Sequence, residues 1–140
     1  MKKDRVCDYA TTAFALYAKY GRRSEEELRD YIYHRELLRN DRPDIAVKKA
    51  EAAVAESTAL FDDISAVCRT LELLKRCGDP DRLRAVELVY VTDEGSTRRD
   101  IGDRVRAVSH KIPATERTIY RWLKEARTVF AEFRGLYKQE

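Results

Sequence analysis

Five residues near the C-terminus carry side chains suited to reading a nucleic acid. Arg117, Thr118, Tyr120, Arg121 and Lys124 place cationic, hydroxylic and aromatic groups within about two helical turns. An arginine fork matches the guanine edge in the major groove, and threonine and tyrosine reach bases or phosphates. Thr115 stands just before them as a helix-capping residue, and a helix N-terminus favours a phosphate oxygen. The apolar residues of the same stretch (Ile119, Trp122, Leu123, Ala126, Phe130 and Phe133) recur at helical spacing and form a separate stripe. The cationic set falls outside that stripe, where a helix entering the major groove needs it. Trp122 belongs to the stripe and reads as core. The plain alternative is a solvated charged face, the default for a surface helix. Arg98 and Arg99 at the start of the preceding helix, and Lys111 in the turn, are candidates to clamp phosphates. Asp100 and Asp103 lie close to the two arginines and weaken that expectation.

Charge is distributed in a way that supports the same reading. The 140 residues carry a net charge of +3. Residues 1–96 hold 17 Lys and Arg against 19 Asp and Glu, or −2; residues 97–140 hold 11 against 6, or +5. The basic excess belongs to the last third of the chain, which points to a nucleic-acid partner there.

Other chemistries find little support. No phosphate-loop, dinucleotide-binding, zinc-protease or nucleophile-elbow motif occurs. Asp62 and Asp63 are adjacent on a helix and diverge by about 100°, a poor arrangement for paired acid and base. His34 and His110 lack a ligand partner at i+3 or i+4. Cys7, Cys68 and Cys77 are odd in number and contain no CxxC pair, so they read as buried free thiols. A non-enzymatic protein without cofactor or metal is expected. No apolar run reaches the roughly 20 residues of a membrane span, and no apolar segment follows the basic N-terminus, so a cytoplasmic protein with no membrane partner is expected.

The elements that must position the cationic set read as helices throughout. Five glycines and three prolines are too few for the turns of a sandwich or barrel, so the expected fold is all-α. Asp4 can cap a helix through about Tyr20, stopped by Gly21. Ser24 and Glu27 form a capping box opening a helix over about 25–39. Asn40 to Pro43 break it. A helical stretch from about 44 to 77 divides at Ser57–Thr58, with Thr58 as cap. Its second half has an apolar spacing suited to a partner helix. Asp79 and Pro80 open a helix to about Val91, residues 92–96 form a loop, and Thr97 caps a helix to about Ser109. A connection over 110–114 leads to a last helix ending near Gly135. Tyr9, Tyr17, Tyr20, Tyr31 and Tyr33 read as packing between the first two helices.

Two segments carry a resemblance. Thr97 to Val105 (TRRDIGDRV) and Ala114 to Arg127 (ATERTIYRWLKEAR) resemble region four of bacterial sigma factors. Asp100, Ile101 and Gly102 stand at that motif's acidic-Ile-Gly, Thr115 at its helix-capping serine and Ile119 at its buried valine. Trp122 and Ala126 match later core positions. The likeness covers residues 80–134, and the first 79 residues match nothing in a sigma factor. Among small proteins, this ending is similar to phage-encoded late-gene transcriptional activators of the ArpU/RinA type. The resemblance implies an N-terminal helical bundle, residues 1–78, followed by a helix-turn-helix DNA-binding region, residues 79–140.

The expected function is therefore sequence-specific binding of double-stranded DNA by a prophage-encoded transcription regulator, with helix 115–134 in the major groove. The N-terminal helices would pair two protomers or touch RNA polymerase. A homodimer is favoured because residues 58–77 hold more apolar side chains than one small bundle obviously needs. The alternatives are a packaging module like a phage small terminase, which would form larger rings, and a protein-only interaction domain with no affinity for DNA.

Overall fold

A computed structural model describes residues 5–94 and 97–136, and over these residues the chain is all-helical. Seven helices follow in order: α1 (Arg5–Lys19), α2 (Glu25–Leu38), α3 (Pro43–Glu56), α4 (Thr58–Arg76), α5 (Pro80–Tyr90), α6 (Arg98–Ser109) and α7 (Glu116–Arg134). The expected cap Asp4 and part of the 92–96 loop, Gly95 and Ser96, lie outside the described residues.

Local chemistry sets most of the boundaries. The Glu27 amide donates to Ser24 Oγ at 3.2 Å, and the Ser24 amide donates back to Glu27 Oε1 at 3.0 Å, completing the capping box that starts α2. Gly21 follows α1 with a φ of 74°, a left-handed turn that a Cβ would disfavour. Asp79 caps α5, with Pro80 at its first position. One cap differs from the expectation. Thr58 is the first residue of α4 rather than its cap, and its hydroxyl donates back to the Ala55 carbonyl. Ser57 takes the cap position and bonds back to Ala53 at 2.8 Å. Both hydroxyls thus close the end of α3 instead of opening α4. Pro43 likewise begins α3 rather than merely ending α2.

α4 is the central helix. It packs against α1, α2, α3, α5 and α7. Its inward residues divide between two clusters. Phe61 and Ile64 join Leu28 and Ile32 of α2 in the smaller one. Ala66, Val67 and Leu74 join α1, α5, α6 and α7 in the larger one. The apolar side chains that suggested a partner helix are therefore accommodated within the chain, and the reason for pairing drawn from residues 58–77 falls away. α3 is the outlying element, held mainly against α2 through Ala46 and Ala50.

The larger core joins the two regions of the sequence reading across residue 78. Phe14 of α1 stacks on Tyr90 of α5 at 5.5 Å between centroids and tilts against Phe130 of α7 at 5.8 Å. Tyr9 does not pack between α1 and α2 as expected. Its hydroxyl donates to Asp63 of α4 at 2.7 Å, and its ring meets Phe130. Arg134 of α7 donates to the same Asp63 oxygen at 2.7 Å. Asp63 is 8% exposed, and a carboxylate so deep requires these donors. The thiols also depart from the expectation. Cys7 and Cys68 are half-buried, and Cys77, at the C-cap of α4, is exposed. All three are free.

A candidate nucleic-acid interface on α6 and α7

α5, α6 and α7 pack mutually, and polar links fix their relative positions. The Arg104 side chain donates to the Val89 carbonyl at 2.8 Å, tying α6 to the end of α5. Arg82 pairs with Glu125 at 3.0 Å, tying α5 to α7. Arg127 donates to the Tyr90 hydroxyl at 2.7 Å. Burial pushes the Tyr90 phenol above its ordinary range, with the Arg127 guanidinium opposing, so the phenol stays neutral as an acceptor.

The turn between α6 and α7 is held from inside. The Lys111 and Ile112 amides both donate to the Val108 carbonyl, and Ile112 is buried in the larger core. Sequence reading treated residues 110–114 as a plain connection and missed this anchor. The isolated Ile between His-Lys and Pro was the available signal. Thr115 caps α7 as expected: the Thr118 amide donates to its Oγ1 at 3.2 Å, and its hydroxyl meets that of Thr118 at 3.1 Å. Such a cap contributes about 1 kcal/mol.

α7 buries Ile119, Trp122, Leu123, Ala126 and Phe130, which places Trp122 in the core. At 100° per residue, Arg117, Tyr120, Arg121 and Lys124 fall within an arc of about 100° on its opposite side. All four are exposed, whereas Thr118, about 60° outside that arc, is half-buried and tied to Thr115. Glu116 is exposed on the other flank, about 100° from Arg117.

The cations of α6 and α7 sort into two groups. Arg104, Arg127 and Arg134 lie half-buried and join helices, and Arg106 pairs with Asp103. Arg98, Arg99, Lys111, Arg117, Arg121 and Lys124 are exposed, and no ion pair engages them among the described residues. Arg98, Arg99 and Tyr120 line one cleft, and the Tyr120 hydroxyl lies 3.6 Å from where a Cβ on Gly102 would stand. Arg117, Arg121 and Lys124 extend from there along α7. Lys111 stands in the turn between α6 and α7. Arg127, outside the apolar stripe in the sequence, also lines the cleft but is held by Tyr90.

The start of α6 is electrostatically set by Asp100. The Thr97 hydroxyl and amide both donate to its carboxylate, and the Asp100 amide donates to Thr97 Oγ1. These bonds hold the Asp100 carboxyl below its ordinary range, with smaller contributions from Arg104 and Arg99. A carboxylate whose folded pKa is depressed stabilises the fold above its unfolded pKa, and the contribution is lost as pH falls through the folded value. Asp100→Asn should therefore be destabilising at neutral pH, with the difference from wild type shrinking in acid. Urea melts of both proteins from pH 7 to pH 3 check this. A constant difference would show that the capping carboxylate is not the source.

Among the described residues no cluster of His, Cys, Asp and Glu could hold a metal ion, and no helix is long and apolar enough to cross a membrane. No known protein-family model matches this chain, and no curated protein or solved structure shows significant similarity to it.

Proposed function

We propose that the protein is a sequence-specific double-stranded DNA-binding transcription regulator, of the kind carried by prophages. α6, the turn over 110–115 and α7 act as a helix-turn-helix. The first half of α7 enters the major groove with Arg117, Tyr120, Arg121 and Lys124 towards the bases and flanking phosphates. α6 crosses the backbone behind it, with Arg98 and Arg99 at its leading end and Lys111 at its trailing end.

The sorting of cations carries this reading. Arginines that bind the helices together are half-buried and hydrogen-bonded, while six other cations stand exposed outside any ion pair. Exposed cations outside salt bridges suit a polyanion, because displaced counterions then drive binding. The resemblance of Thr97–Val105 and Ala114–Arg127 to sigma region four supports the same assignment of helices.

A salt titration of duplex binding tests it. With about five phosphates neutralised, the logarithm of affinity should fall against the logarithm of salt with a slope of about −4 to −5. Binding that stays flat across that range would leave the basic face without a polyanionic partner.

A further inference from the structure

The cleft beside Tyr120 has the shape and lining of a small-molecule site. It is an open cleft of about 500 Å³ between the start of α1, the start of α6 and α7. Pockets for ligands of drug or cofactor size occupy roughly 300–1,000 Å³. Its deepest side chains are apolar or aromatic: Leu123 is fully buried, Tyr90 nearly so, and Ile101 half-buried. Its rim is cationic and aromatic, formed by the exposed Arg98, Arg99 and Tyr120. A third guanidinium, Arg127, is held in place by the Tyr90 hydroxyl. No carboxylate lines the cleft. The nearest in sequence, Asp100, is turned to Thr97 by the capping box.

Two chemistries are thus presented side by side. The exposed Arg98 and Arg99 guanidinium groups suit a dianionic phosphate, which arginine holds through paired charge-assisted hydrogen bonds. The exposed Tyr120 ring beside Ile101 suits a planar base, and base–aromatic stacking is worth about 1–3 kcal/mol. Both sets line the same cleft, so one ligand can meet both. We infer that the cleft binds a nucleoside monophosphate, its base against Tyr120 and Ile101 and its phosphate on Arg98 and Arg99. Cys7 of α1 supplies the remaining wall, so the site needs the N-terminal helix as well as α6 and α7.

The cleft shares Arg98, Arg99 and Tyr120 with the face proposed to meet DNA, so the test is run without DNA and does not depend on that proposal. Isothermal calorimetry on the full chain would titrate AMP and GMP, with adenosine, guanosine and inorganic phosphate as separate arms. The expected result is saturable binding of one nucleotide per chain in the micromolar range. The nucleosides and free phosphate should bind at least about tenfold more weakly, since each lacks one of the two contacts. Arg98→Gln and Tyr120→Ala remove exposed side chains and should each weaken nucleotide binding about tenfold while the melting temperature stays put. Three results would overturn the assignment: no saturable heat up to about 5 mM, phosphate binding as well as the nucleotides, or affinity unmoved by both substitutions.

Discussion

Replacing Arg117 and Arg121 together with glutamate should lower affinity for the cognate duplex by at least about a hundredfold while leaving the protein folded. Each side chain is exposed and outside any ion pair, so its removal costs the fold little. Each lost charge-assisted hydrogen bond to DNA is worth about 1.5–3 kcal/mol, and the new carboxylates would also face phosphates. The salt slope should become shallower by about two units. Glu51→Gln on the outlying α3 serves as the control. It removes an exposed charge from an element outside the proposed face and should leave binding nearly unchanged. Fluorescence anisotropy on a labelled duplex, paired with circular dichroism melts, checks both. A double variant that binds like wild type would remove α7 from the interface.

The largest effect on stability is expected at Phe130. Its side chain is fully buried in α7 and touches Phe14 and Tyr9 of α1. Truncation to alanine opens a cavity where α1 and α7 meet, at a cost of about 3–5 kcal/mol. That is a large fraction of the about 5–15 kcal/mol by which a domain of this kind is stable. Phe130→Ala should therefore lower the melting temperature by about 10 °C or more. Because the aromatic cluster joins α1, α5 and α7, the loss should appear as one cooperative transition. Amide exchange should rise in α1 and α7 alike. Exchange that rises in α7 alone would show that the helices on either side of residue 78 are stabilised separately.

Local signals were legible in the chain and distant partnerships were not. The starts of α2, α5, α6 and α7 follow from a capping side chain and the amide three residues on, all within one short stretch. The apolar stripe of α7, with Trp122 inside it, follows from helical spacing alone. Thr58 misled because threonine can cap forwards or bond backwards, and the choice depends on how α3 and α4 meet. Asp63 is the clearest hidden residue. Beside Asp62 it reads only as half of a poorly arranged acid pair, yet it is buried and bonded to Tyr9, 54 positions away, and Arg134, 71 positions away. No periodicity encodes such a meeting. The apolar face of α4 was visible, but its occupants were not: a second protomer was expected where α1, α2, α5 and α7 already pack.

At the candidate interface the same division holds. The exposed arc Arg117, Tyr120, Arg121 and Lys124 was readable from its angle to the stripe. The partial withdrawal of Thr118 onto Thr115, and the recruitment of Arg127 by Tyr90, required the packed helices. The cleft was not readable at all, since α1 reaches it from the other end of the chain.

Selection of a random duplex pool on the full chain, followed by sequencing, tests most directly whether this protein reads DNA through α7. The expected result is an enriched motif for the wild type that disappears with Arg121→Glu. A palindromic motif would add that two protomers bind together. No enrichment by the wild type, or the same motif from both proteins, would contradict DNA reading by this helix.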